Sequence, residues 1–198
     1  MSNNEELIKQ WTASGWEDAK EIIGWYEAGW KAPKIALTYR RDFKDPRKAL
    51  ALKDVFDRIV NCRNINRAWE SEAHPCHNIV NYQKSQLPGL TLEKFQIPEP
   101  WNGAVLDAPI IFVGINPSYT KDELHPDSTW PEEEKYIFFA KRFDSKYTDK
   151  NMGPRLQSSD NAPKYRKASK YWINLRSLSG QMLVNVSAGG IFPSFSRS

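Results

Sequence analysis

One short apolar run ends abruptly in a turn: Ala108-Pro109-Ile110-Ile111-Phe112-Val113, then Gly114-Ile115-Asn116-Pro117-Ser118. A run of this length with no polar alternation predicts a strand buried on both faces, the arrangement of a parallel sheet covered by helices. Gly114 lets the backbone turn sharply, Pro117 stiffens the turn, and Asn116 offers an amide that both donates and accepts. In open α/β sheets, ligands bind beyond the carboxyl ends of such strands. Asn-Pro is equally an ordinary turn former, and the two readings stand side by side at this stage. The expected fold class is α/β, with a small, incomplete parallel sheet flanked by helices and a mostly helical N-terminal half.

Helical periodicity dominates the residues before this run. Trp16, Ala19, Ile23, Tyr26 and Trp30 recur at steps of three and four, which predicts one core-facing helical stripe. Asp45-Pro46 reads as a helix start, with Leu52, Val55, Phe56, Ile59 and Val60 as its apolar face. Asp54 and Arg58 are spaced to pair on that helix. No internal repeat is expected. Residues 71–103 lose the periodicity and read as a linking segment, extended at Pro98-Glu99-Pro100-Trp101 because a residue before proline avoids the helical region.

Beyond the turn, a helix is expected from about Ser128 or Thr129. Glu132, Glu133 and Glu134 suit its positive end, and Tyr136, Phe139, Ala140 and Phe143 form its face. A polar loop then leads to a last helix from Pro163, with Tyr165, Ala168, Trp172, Leu175 and Leu178 inward. The expected division is a helical region over 1–94 and an α/β region over 95–198, within one compact unit.

With 198 residues, 40% hydrophobic and 26% charged, the chain suits a single soluble domain with a real core. Its two cysteines, the lack of a leader-like opening and the lack of a long apolar run predict a cytoplasmic protein. A formal charge of +4 permits a polyanionic partner without requiring one. No phosphate-cradling Gly-rich loop, Rossmann fingerprint or Ser-His-Asp order is present, which argues against kinases, dehydrogenases and hydrolases of those types.

Gly114-Ile115-Asn116-Pro117-Ser118 resembles the first motif of the uracil-DNA glycosylase superfamily, whose mismatch-specific branch has Gly-Ile-Asn-Pro-Gly. Pro98-Glu99-Pro100-Trp101-Asn102-Gly103, Trp130-Pro131 and Phe138-Phe139-Ala140-Lys141-Arg142-Phe143 resemble a bacterial group of glycosylase-like proteins. The likeness covers roughly 95–178. It implies base excision from DNA: a flipped base enters a pocket, and Asn116 positions the water that attacks the sugar carbon. Gly114, Ile115, Pro117 and Ser118 would line the base, with backbone N–H groups near Ile115 and Ser118 holding the departing anion. Trp130 is the candidate stacking ring and His125 a further pocket residue.

The family's second motif, His or Asn followed by Pro-Ser and a leucine-bearing loop, has no good counterpart. Pro193-Ser194-Phe195-Ser196 is only faintly similar. The resemblance therefore also admits a DNA-binding or interaction protein that has lost the chemistry, or a shortened product. Lys164, Arg166, Lys167 and Lys170 are candidate phosphate contacts, with a solvated helix face as the alternative. The expected partner is DNA, and an uncovered sheet edge would favour a homodimer. Cys62, His74, Cys76 and His77 lack regular zinc spacing, and two cysteines exclude four-Cys iron–sulfur ligation within one chain. No metal or cofactor is expected.

Overall fold

The structure is a computed structural model that describes residues 3–101, 121–142, 146–147 and 154–157, together with 164, 165, 167, 173, 174, 177, 178 and 180. The chain divides into two compact units, one comprising 1–102 with 125–140, the other 103–124 with 141–198.

The first unit is a run of short helices: α1 (Asn3–Thr12), α2 (Ala19–Glu27), α3 (Pro33–Arg40), α4 (Pro46–Val60), α5 (Arg63–Glu70), α6 (His77–Gln86) and α7 (Glu132–Ala140). Contrary to expectation, its first part is a tandem repeat. Trp11-x-x-x-Gly15-Trp16 returns 14 residues later as Trp25-x-x-x-Gly29-Trp30. Each copy ends a helix in the same way. The Trp16 N–H reaches the Trp11 carbonyl (3.3 Å) and the Gly15 N–H that of Thr12 (3.0 Å); Trp30 and Gly29 repeat this on Trp25 (3.2 Å) and Tyr26 (3.0 Å). This is a Schellman ending, which needs a left-handed residue and favours an apolar contact across it. Gly15 and Gly29 supply the positive φ, +98° and +113°. Both glycines are also crowded, since a Cβ on Gly29 would lie 3.0 Å from Leu50 Cδ2, and one on Gly15 3.3 Å from Leu37 Cδ2.

The tryptophans then fasten each repeat to the next helix. Trp16 Nε1 donates to the Pro33 carbonyl and Trp30 Nε1 to that of Pro46, both at 2.9 Å. Each acceptor is the first residue of a helix. The rings form one ladder, with Trp11–Trp16, Trp16–Trp25, Trp25–Trp30 and Trp30–Tyr39 centroids 5.1 to 5.5 Å apart. All five are buried. A third, imperfect copy follows, in which Tyr39 stands where the other copies have Trp11 and Trp25, and Phe43 replaces the glycine.

This arrangement corrects the expected single stripe. Trp16 and Trp30 lie outside α2, Ala19 and Tyr26 are exposed, and the buried face of α2 is Ile22 and Trp25. The predicted start at Pro46 agrees with the structure. The Asp45 carboxylate caps α4 by accepting from the N–H groups of Arg47 (2.9 Å) and Lys48 (3.4 Å). Phe56 and Val60 face inward, but Val55 is exposed. Arg58 Nε donates to the Asp54 backbone carbonyl rather than its carboxylate.

Asp18 caps α2 in the same way as Asp45 caps α4, accepting from Lys20 and Glu21 at 2.8 and 3.0 Å. Hydrogen bonds from the Glu21 and Lys20 N–H groups hold its pKa below the usual 3.8. A depressed folded-state pKa stabilises the fold above the unfolded value, and that contribution is lost as pH falls through the folded one. Asp18→Asn keeps a capping oxygen but not the titration. Its melting temperature is expected to fall less than that of the wild type between pH 6 and pH 3. A parallel fall in both would show that Asp18 does not contribute to the acid transition.

The segment expected to be a linker contains α6. A second apolar cluster holds it, with Ala68, Val80 and Phe95 at its centre and Ile65, Trp69, Cys76 and Leu90 around it. The Phe95 ring meets Trp69 edge-on at 6.1 Å, and the Gln83 carboxamide oxygen accepts from the Gln96 N–H at 3.2 Å. Helix α7 packs on α3. The Tyr136 ring stacks on Tyr39 at 3.9 Å, and its hydroxyl donates to Asp42 at 3.0 Å. Lys53 on α4 adds ion pairs to Asp57 (2.5 Å) and Glu132 (2.7 Å).

The expected parallel sheet is contradicted. The described residues are mostly helical, and their only β pairing is three isolated antiparallel bridges, Gln96 with Asp127, Glu123 with Leu156 and Arg155 with Tyr165. The predicted central strand, 108–113, lies outside the described residues. In the second unit Gln157 N–H donates to the Asp122 carbonyl and Leu124 N–H to that of Arg155, each at 2.8 Å. Buried Arg142 is ion-paired with Glu123 there. Leu178, expected on an inward face, is exposed. Among the described residues, no helix is long and apolar enough to cross a membrane.

Candidate functional site

The turn that carries the candidate chemistry, Gly114, Ile115, Asn116, Pro117 and Ser118, lies outside the described residues, as do Arg166 and Lys170. Lys164 and Lys167 are exposed. The two candidates described in the first unit are His125 and Trp130.

His125 sits in the stretch before α7 with 8% of its surface exposed. Its Nδ1 lies 3.0 Å from the Pro126 carbonyl oxygen and its Nε2 3.2 Å from Glu99 Oε1. The Phe138 and Phe139 rings meet it edge-on, with centroids at 5.6 and 5.7 Å. A buried polar ring is tolerable only when its nitrogens have partners, and here both face oxygens. That arrangement orients a loop. It leaves neither nitrogen available to a substrate.

The same loop is tied down from several sides. The Ile97 N–H donates to the Pro126 carbonyl at 3.1 Å, and the Ser128 hydroxyl donates to that of Glu93 at 2.9 Å. Asp127 accepts from the Thr129 N–H at 2.8 Å, while Lys94 reaches Asp127 and Thr129 at 3.4 and 3.2 Å. Trp130 is half-buried and lies edge-on against Phe138, centroids 5.9 Å apart. The ring singled out to stack on a base is therefore used in part to pack on Phe138 of α7.

Comparison with protein-family models, curated proteins and solved structures returned no match.

The Cys and His residues around α5 and α6 are likewise engaged in local structure. His74 Nδ1 accepts from the Cys76 N–H at 3.1 Å, and His77 Nδ1 lies 2.8 Å from the Ala68 carbonyl oxygen. Cys62 and Cys76 are free, half-buried thiols that stand at the N-caps of α5 and α6. Among the described residues no three His, Cys, Asp or Glu side chains converge as a metal site would require.

Sequence reasoning missed Glu99 as the partner of His125. Glu99 lies between two prolines, 26 residues before the histidine, and no short-range spacing signals such a pair. It also missed the repeat, for which the signal was present in the recurrence of Trp-x-x-x-Gly-Trp.

Proposed function

We propose that this chain is a uracil-DNA-glycosylase-like protein that acts on DNA, hydrolysing the N-glycosidic bond of a damaged or misplaced base with Asn116 positioning the water. The observation that carries this reading is the Gly114-Ile115-Asn116-Pro117-Ser118 motif directly after an apolar run. In the reaction the C1′–N bond breaks as the water oxygen bonds to C1′. The base leaves as an anion stabilised by nearby donors, and the attacking water gives up its proton to solvent. An amide cannot remove that proton efficiently, so the contribution of Asn116 is orientation.

A second reading, a DNA-binding protein without excision chemistry, is favoured by His125 and Trp130. Both are engaged in packing, and no second motif is evident in the sequence.

A strand-scission assay on a uracil-containing oligonucleotide separates the two. The first reading expects abasic product from the wild type and a loss of roughly 10²-fold or more in Asn116→Ala. DNA binding without any product would favour the second. Full activity in Asn116→Ala would remove Asn116 from the mechanism.

A further inference from the structure

We infer that the corner joining α3 to α4 is a docking surface for the phosphate backbone of double-stranded DNA, made by Arg41, Lys44, Arg47 and Lys48. The inference rests on the reading of DNA as the substrate and gives that reading a binding surface outside the candidate pocket.

Five of the nine residues from Arg40 to Lys48 are cations, and all five are exposed. Arg40 is committed to the fold, with its Nε 2.6 Å from Glu21 Oε1 and its guanidinium over the Trp16 ring. The other four have no carboxylate partner among the described residues. Of the two acids of the corner, Asp42 is half-buried and accepts from Tyr136, and Asp45 is exposed, with its carboxylate accepting from the N–H groups that open α4. Four cations against two carboxylates leave the corner net positive.

Helix α4 has no acid in its first turn, as is also true of α3, α5 and α6, and it opens on Arg47 and Lys48, with Lys44 just before them and Asp45 as its capping carboxylate. A backbone phosphate beside these cations would add to the negative charge that the positive end of a helix favours. Arg41 and Arg47 can grip a phosphate with two hydrogen bonds, and Lys44 and Lys48 act as point charges.

The test is binding of a labelled, uracil-free DNA duplex by fluorescence anisotropy across a salt series. Wild type is compared with a variant carrying Arg41→Gln, Lys44→Gln, Arg47→Gln and Lys48→Gln. The variant is expected to bind roughly 10²-fold more weakly whatever the sequence, and to lose about 3–4 from the slope of log K against log salt. Each pair alone, Arg41→Gln with Lys44→Gln or Arg47→Gln with Lys48→Gln, should give about half that change in slope. The pairs keep the test valid if the fourfold variant fails to fold.

Corner-dependent binding by a wild type that excises nothing would support this surface and remove only the excision reading. An unchanged salt slope in both pair variants would overturn the inference, whether or not the wild type excises. So would unchanged DNA binding combined with lost binding to anionic phospholipid vesicles, which would assign the corner to a membrane.

Discussion

Trp30→Ala is expected to destabilise the first unit by about 3–5 kcal/mol, measured by urea unfolding, because it removes three things together. It empties a site with 2% of its surface exposed. It breaks the ring ladder between Trp25 and Tyr39. It also leaves the Pro46 carbonyl, the acceptor of the indole N–H, without its partner. Trp30→Phe keeps much of the ring packing and loses the hydrogen bond, so it should cost about 1–3 kcal/mol. A repeat array derives its stability from neighbour interfaces, so the alanine variant should act on α2, α3 and α4 together. Loss of less than about 1 kcal/mol in Trp30→Ala would mean that the ladder is not what holds the repeats.

The second large effect is expected at Phe56, where α4 meets α7 and the segment at Trp101. Its side chain is fully buried, and its ring approaches those of Trp101, Tyr136 and Phe139 at 5.4, 5.9 and 6.1 Å. Phe56→Ala should cost about 3–5 kcal/mol through lost contacts and the cavity left behind. Phe56→Leu fills most of the space and should cost less. Because Tyr136 and Phe139 belong to α7, hydrogen exchange should accelerate in α7 as well as in α4. Faster exchange confined to α4 would show that Phe56 does not hold α7. This coupling bears on the candidate site, since Phe138 and Phe139 of α7 also pack on His125.

Local signals were legible from the residues alone where the physics is local. Asp45-Pro46 starts a helix because an acid side chain and a proline suit adjacent positions at a helix opening. The acidic run Glu132 to Glu134 marks the first turn of α7 for a similar reason, although the helix opens at Glu132 and not at the expected Ser128 or Thr129. The stripe from Trp16 to Trp30 misled because a 14-residue repeat spans roughly four turns of α-helix. Residues that recur at that period imitate one continuous helical face. The Gly15 and Gly29 breaks, with positive φ and a close leucine behind each, were the sign of separate short helices.

The candidate site was less legible. Asn116 and its turn stand out by motif, but His125 and Trp130 were singled out by proximity in sequence, which says nothing about burial. Both proved to be packed on rings of α7, and His125 is held as well by a carboxylate that lies 26 residues away.

The residue order by itself determined the helix caps, the glycine-ended turns and the apolar run that leads into the Asn116 turn. These depend on backbone sterics and on hydrogen bonds between near neighbours, which a short stretch of sequence specifies. Only the tertiary structure decided that eight scattered tryptophans include a four-membered ladder, that residues 77–86 form a helix on a second cluster, and that the described β pairing is isolated and antiparallel. It also decided that the Asp42 and Asp45 carboxylates accept hydrogen bonds from Tyr136 and from the N–H groups that open α4, while the cations around them stay in water. Burial and long-range pairing depend on which surfaces meet, and that is settled by packing between segments distant in the chain.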